Sequence, residues 1–137
     1  MEELFCVDVA LDGAEEIAGR HGRAVMIRFH GRCDCNFFHG EILPGGVDTQ
    51  KGLPGVPYAL SARYMLSGVD GNGAPARIFI ENNGEYDAQG ECVTHPLILT
   101  DSPALAWLEE TPLTGRITGT PQGVMIHFFR EESTHDQ

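Results

Sequence analysis

Residues 58–68, YALSARYMLSG, decide the fold class of this chain. Tyr58, Leu60, Ala62, Tyr64 and Leu66 occupy every second position, and the residues between them are mostly small or polar. Successive side chains of a β-strand point to opposite faces, so this alternation predicts a strand with one buried face.

The same period of two recurs in four other stretches, LFCVDVAL (4–11), RAVMIRFHG (23–31), ARIFIEN (76–82) and GVMIHFFRE (123–131). Breaks rich in Gly and Pro separate them, such as GLPGVP and GVDGNGAP. Only SPALAWLEE (102–110) has helical character. The pattern predicts an all-β fold, an antiparallel sandwich or barrel of about eight strands with one short helix near the C-terminal third. Arg28, Arg63 and Glu81 lie on mixed faces, which a small barrel with a partly polar interior tolerates better than a dry sandwich.

Composition limits the partners of the chain. The formal net charge of −11 disfavours nucleic acid and anionic membrane surfaces. No apolar run approaches the roughly 20 residues of a membrane helix, and the acidic N-terminus does not resemble a secretory signal. We therefore expect one cytoplasmic domain over residues 1–137, with the last few residues as a tail and the four cysteines as thiols.

The order of four segments resembles a known family. FHGEILPGGVDTQ, LSARYMLSGVDGNG, IFIENNG and TDSPALAWLEETPLTGRITGTPQGVMIHFF follow one another as in the domain of unknown function 3237 family, also called uncharacterised protein family 0311. The resemblance runs from about residue 4 to residue 129. It implies a small antiparallel β-barrel with a central cavity and assigns no reaction.

Two motifs between residues 33 and 50 invite sharper interpretations. Cys33 and Cys35 could present two thiolates to a metal, but no second paired motif completes a tetrahedral site, so the sequence predicts no metal. The alternative is two small core residues. The glycines of PGGVDTQ could cradle a phosphate only before a helix, and a chain bend is the better interpretation.

A polar set remains for a pocket. We expect Asp48, Arg63 and His39 to be the candidate catalytic residues, with Asp48 and Arg63 close together at one end of the cavity. The candidate substrate-binding residues are Gln50, Tyr64, Glu81, Asn83, Phe37, Phe79 and Trp107. Phe29 is a further candidate for the apolar wall.

Two functions fit this set, and a purely structural subunit is a weaker third alternative. One is a cofactor-independent lyase, isomerase or cyclase for a compact oxygenated organic substrate, in which Arg63 anchors the substrate and Asp48 or His39 moves a proton. The other is a non-catalytic, lipocalin-like protein that binds a metabolite. Both imply a small-molecule partner and no cofactor, and both leave homodimer formation open. The sequence does not separate them.

Overall fold

The computed structural model describes residues 2–131. Its strands are β1 (Glu2–Gly19), β2 (Gly22–Asp34), β3 (Phe38–Ile42), β4 (Val47–Gly52), β5 (Ala59–Asp70), β6 (Pro75–Tyr86), β7 (Cys92–Thr100), β8 (Leu113–Gly119) and β9 (Gly123–Arg130). A single 3₁₀ helix, Pro103–Glu110, lies between β7 and β8 within these residues. The tail that the sequence predicts lies, from residue 132 onward, outside the described residues.

The strands form one antiparallel sheet that closes on itself. The order β1-β9-β8-β7-β6-β5 continues through β3 and β4 to β2, which pairs again with β1. Both β3 and β4 lie between β2 and β5, one after the other along the barrel wall. The nine strands therefore fill eight positions, and the prediction of a small antiparallel β-barrel with one short helix is confirmed.

The turn Pro44–Gly46 explains why one barrel position holds two strands. Gly45 has a φ of +112°, a conformation that glycine adopts without strain. The Gly46 carbonyl accepts a hydrogen bond from the Phe29 N–H at 3.2 Å, which holds the turn against β2. Strand β4 follows directly, without a helix, so the glycines make a bend in the chain and lack the helix that a phosphate-binding loop needs.

The two ends of the barrel differ. The 3₁₀ helix closes one end, where Leu105 and Leu108 are buried and Phe5 stacks on Phe128 with ring centroids 4.8 Å apart. The inward faces of the strands fill this closed end with apolar side chains. At the other end, called the open end below, the strands surround a cavity. No helix among residues 2–131 is long and apolar enough to cross a bilayer.

Candidate functional site

The interior cavity at the open end has a volume of about 220 Å³. Apolar side chains make most of its wall, and four polar side chains interrupt it. The apolar residues are Val9, Leu11, Ile27, Phe29, Leu60, Ala62, Ile117, Val124 and Ile126, and the polar ones are Asp48, Gln50, Asn82 and Tyr86.

Strand register explains why a carboxylate faces this cavity. Asp48 lies opposite Ile27 on β2 and opposite Ala62 on β5. Directly opposed residues in an antiparallel pair project from the same face of the sheet, and Ala62 is buried. Asp48 therefore points into the barrel between two apolar neighbours, where water contributes little to solvating a charge.

A chain of hydrogen bonds runs from the open end to Asp48. Arg23 donates from Nη2 to the Tyr58 hydroxyl at 3.1 Å, and the Tyr58 hydroxyl donates to Gln50 Oε1 at 3.0 Å. The orientation of the Gln50 amide is thereby fixed, and its Nε2 donates to Asp48 Oδ2 at 2.8 Å. Every donor in this chain points toward Asp48, so Oδ2 acts as an acceptor.

The second oxygen of Asp48 has a different environment. Asp48 Oδ1 is buried and has no hydrogen-bond partner among the described residues. Burial raises the pKa of Asp48, and the hydrogen bond from Gln50 opposes this only in part. Because Oδ2 accepts the Gln50 bond, the proton of the neutral acid resides on Oδ1. A protonated Oδ1 is a hydrogen-bond donor with no acceptor among residues 2–131.

Asn82 faces the same cavity from β6. Its side chain is fully buried, and neither Oδ1 nor Nδ2 has a partner among the described residues. In register, Asp48 lies opposite Ala62 and Ala62 lies opposite Asn82, so the three form one row across β4, β5 and β6. Two strand spacings separate Asp48 from Asn82, about 10 Å between backbones. Only the methyl group of Ala62 lies between them in this row.

Thr94 is a third residue near this row that carries an unpartnered polar atom. Thr94 is buried, and its Oγ1 has no partner among the described residues. It fits between Gly84 and Gly115, whose backbones approach it closely. A Cβ at Gly115 would lie 2.1 Å from Thr94 Oγ1, and a Cβ at Gly84 would lie 2.6 Å from Thr94 Cγ2. Both glycines are required by this packing.

The predicted proximity of Asp48 and Arg63 is wrong. Arg63 lies opposite Val47, one residue out of phase with Asp48, and its side chain projects from the outer surface with 62% exposure. Its Nε lies 3.4 Å from Glu81 Oε2, so the arginine and this predicted substrate-binding residue form a surface ion pair. His39 is also outside, with Nδ1 3.1 Å from Asp34 Oδ1. The structure therefore brings neither Arg63 nor His39 to the cavity.

The remaining predicted residues divide among four places. Gln50 and Phe29 line the cavity. Tyr64 points inward beneath it, packed edge-on to Phe29 with centroids 5.4 Å apart, and its hydroxyl has no partner among the described residues. Phe37 and Trp107 contact each other at the closed end, with centroids 5.1 Å apart.

Asn83 and Phe79 are on the outer surface, where the barrel has shallow grooves. Asn83 accepts a hydrogen bond from the Ser61 hydroxyl at 2.6 Å. It lines, together with Arg63, Lys51 and others, an open groove of about 730 Å³. The interior cavity is smaller, but its orphaned polar atoms distinguish it from the groove, where Asn83 Oδ1 already has a partner.

Sequence reasoning missed Asn82, Tyr86, Tyr58 and Arg23. The signal for Asn82 and Tyr86 was present, since both are in phase with buried Ile78 and Ile80 on β6. Tyr58 and Arg23 are also in phase with inward residues, but Tyr58 precedes β5 and Arg23 is near the tip of the β1–β2 hairpin, so the alternation does not show that their side chains meet.

One group of three potential metal ligands lies within residues 2–131, and it is outside the cavity. Suitable atoms of Glu3, Cys6 and His127 lie within 4.8 Å of one another. His127 Nδ1 already contacts Glu3 Oε2 at 3.2 Å, and its Nε2 lies 3.0 Å from Thr118 Oγ1. This hydrogen-bonded arrangement accounts for the group without an ion.

Comparison with known proteins identifies relatives over nearly the whole chain. A UPF0311 protein of Clostridium acetobutylicum is 31% identical over an alignment of 151 residues that covers 94% of this chain and 92% of the relative. A crystal structure of a protein of unknown function from Clostridium acetobutylicum superposes with a TM-score of 0.78 at 28% identity, covering 94% of each chain. A β-barrel-like protein from Acinetobacter baumannii shares the fold, with a TM-score of 0.71 at 20% identity over 94% of this chain and 93% of that one.

The family model described as a protein of unknown function (DUF3237) matches residues 1–130. The resemblance inferred from the four sequence segments is thereby confirmed, and the chain belongs to the DUF3237 family.

Proposed function

We propose that the interior cavity binds a compact, oxygenated organic molecule, and that Asp48 transfers a proton to and from it in a cofactor-independent lyase, isomerase or cyclase reaction. The observation that carries the proposal is the buried, unpartnered Oδ1 of Asp48 facing the cavity. Titratable groups with shifted pKa values in a cleft mark candidate functional sites, because catalytic acids and bases need pKa values matched to their task.

The size and chemistry of the cavity support a small ligand with polar groups. About 220 Å³ is below the roughly 300–1,000 Å³ of pockets for drug-sized molecules. Buried donors and acceptors are normally satisfied, and each orphan costs about 1–3 kcal/mol. Asp48 Oδ1 and both polar atoms of Asn82 are orphans that a hydroxyl or carbonyl group of a ligand would satisfy.

The positions of these groups suggest how the reaction proceeds. In the neutral acid, Asp48 Oδ1 donates its proton to an oxygen or an unsaturated carbon of the bound molecule. The resulting carboxylate is held by Gln50 Nε2 and then removes a proton from another atom of the intermediate, which restores the acid. Asn82 Nδ2 donates a hydrogen bond to a substrate oxygen and so orients the substrate for the proton transfer. No net redox change occurs, because Asp48 donates one proton and later recovers one.

The hydrogen-bonded chain gives Gln50 and Tyr58 positioning roles. Tyr58 holds the Gln50 amide, and Gln50 in turn holds Oδ2, so the acidic proton remains on the oxygen that faces the ligand. A general acid must be within hydrogen-bond reach of the atom that it protonates, and this arrangement supplies such an atom at the cavity surface.

A non-catalytic metabolite-binding protein is the second candidate. Nine of the thirteen residues that line the cavity are apolar, as expected of a binding barrel. In this case Asp48 would recognise a ligand hydroxyl or amine without transferring a proton to carbon.

Ligand capture and turnover separate the two functions. Native mass spectrometry identifies the small molecule that remains with the protein after gentle purification, and that molecule is then supplied to the wild type, Asp48→Asn and Ala62→Leu. An enzyme converts it, Asp48→Asn binds it without conversion, and Ala62→Leu, which fills the space between Asp48 and Asn82, does not bind it. A binding protein leaves it unchanged in all three. Undiminished binding by folded Ala62→Leu contradicts the cavity as the site.

A further inference from the structure

Two thiols lie together at the closed end of the barrel, remote from the cavity. Cys33 lies near the end of β2, opposite Gly40 of β3, and only 2% of its surface is exposed. Cys35 follows β2 directly and is half-buried, packed against the core. Both are free thiols in the structure.

The loop after β2 brings the Cys33 thiol and the backbone of Phe37 and Phe38 close to the Cys35 sulfur. The Cys35 N–H donates to the Phe38 carbonyl at 2.9 Å and closes a tight turn. The Cys33 thiol and the backbone N–H groups of Phe37 and Phe38 each lower the pKa of Cys35. The Cys33 thiol has the largest effect on the pKa of Cys35. Together with the two N–H groups and the nearby His39 it lowers the pKa of Cys35 to about 6, against the opposing effect of burial.

The charged and titratable groups around the pair leave a thiolate feasible. Asp34 lies between the two cysteines in sequence, but Arg32 Nε holds its carboxylate at 2.6 Å and His39 contacts it at 3.1 Å. The Cys6 thiol approaches from β1, with its pKa raised by burial and by Glu3 among its neighbours. Asp8, also on β1, is among the groups that raise the pKa of Cys6. The raised pKa of Cys6 favours its neutral thiol, which adds no charge beside Cys35.

We propose that Cys33 and Cys35 form a dithiol that a hydroperoxide oxidises to an intramolecular disulfide. Cys35 is the reacting thiol, since it is half-buried whereas only 2% of Cys33 is exposed. Cys33 is the resolving thiol, since it is buried beside Cys35 and needs no access to solvent.

The chemistry balances in two steps. The Cys35 thiolate attacks one oxygen of the peroxide, the O–O bond breaks, and hydroxide leaves, so sulfur is oxidised to sulfenic acid and the peroxide is reduced. The Cys33 thiol then loses its proton and attacks the Cys35 sulfur, the S–O bond breaks, and the released hydroxide takes that proton to form water. Overall, two thiols and hydrogen peroxide yield one disulfide and two molecules of water.

The spacing favours a reversible bond. Two residues along an extended strand span about 6.7 Å between Cα atoms, close to the upper limit of roughly 6.8 Å for a disulfide. A disulfide formed at this limit is strained and easily reduced, which is characteristic of labile rather than structural disulfides.

The first readout uses the wild-type protein. Arg32 and Lys51 bound a single tryptic peptide that contains both Cys33 and Cys35 and neither of the other cysteines. The reduced protein is treated with hydrogen peroxide and its free thiols are then blocked with N-ethylmaleimide. We expect peptide 33–51 to lose two hydrogens and accept no label, and to recover two labels after dithiothreitol.

Site-resolved alkylation supplies the second readout. With iodoacetamide near pH 7, Cys35 should react about tenfold faster than Cys92, a half-buried thiol at the open end whose pKa burial raises. Cys33→Ser should trap sulfenic acid on Cys35, detected with dimedone, while Cys92→Ser should oxidise like the wild type. Reduced peptide 33–51 after peroxide, a disulfide to Cys6 instead of Cys33, or equal alkylation of Cys35 and Cys92 would overturn the proposal.

Discussion

Asp48→Asn should stabilise the protein at alkaline pH, contrary to the usual effect of removing a buried polar group. The substitution keeps the shape of the side chain, and the new amide oxygen still accepts from Gln50 Nε2 in place of Oδ2. It removes the charge whose free oxygen is buried without a partner. The amide nitrogen that replaces Oδ1 is also unpartnered but neutral; because an unsatisfied group costs about 1–3 kcal/mol and more when charged, we expect the free energy of unfolding to rise by about 1 kcal/mol at pH 8.

The pH dependence fixes the sign of this effect. Because burial raises the pKa of Asp48, the folded protein holds the proton more tightly than the unfolded chain. The resulting stabilisation is fully present below the unfolded-state pKa and is lost as pH rises through the folded-state pKa. The advantage of Asp48→Asn should therefore be largest at pH 8 and shrink toward zero at acidic pH.

Urea unfolding followed by the fluorescence of Trp107, the single tryptophan, measures both quantities over a pH series. Asp8→Asn is the matched control, since Asp8 is exposed on β1 and its replacement changes the net charge equally. A variant Asp48→Asn that is less stable than both the wild type and Asp8→Asn at pH 8 would refute the reasoning, because it would show that the carboxylate is a satisfied structural group.

Three further substitutions test the packing and the site. Gly115→Ala should cost about 1–3 kcal/mol of unfolding free energy, because its Cβ would collide with Thr94 Oγ1. Gly119→Ala is the control and should be tolerated, since no atom lies within 4 Å of its Cβ. Thermal unfolding compares the two variants. Arg63→Ala should change stability by less than about 1 kcal/mol and leave ligand affinity unchanged in calorimetric titration, since this side chain is on the outer surface. Tyr58→Phe should weaken ligand binding or turnover roughly fivefold, the equivalent of one hydrogen bond of about 1 kcal/mol, and restored full function in this variant would contradict the positioning role.

The barrel could be predicted from the sequence because each strand is marked by an alternation of residues that are close together in the chain. The alternation in β1, β2 and β5 assigns Val7, Val9, Ile27, Phe29 and Leu66 to the inner face, where the structure has them. The same rule, applied strictly, would have placed Arg63 on the outer face, since Arg63 lies between the inward residues Ala62 and Tyr64. The prediction of a buried ion pair overrode this local signal and was wrong.

The composition of the site depends on information that the sequence does not display. The register between β2, β4 and β5 decides that Asp48 faces Ala62 and that Asn82 completes the row. Such register results from the closure of the whole sheet. The bond from Arg23 to Tyr58 joins residues 35 positions apart, each at a strand end, and follows only once the barrel is closed.

The most direct test of the central claim is a carbon-13 NMR titration of the Asp48 side-chain carboxyl in the ligand-free protein, assigned by comparison with Asp48→Asn. The proposed role requires an acid that keeps its proton well above the ordinary aspartate value of about 3.9. We predict that the Asp48 resonance titrates clearly above that value, as burial without a compensating charge requires. An Asp48 that titrates at or below the ordinary value would contradict both the isolated acid and the proton transfer built on it.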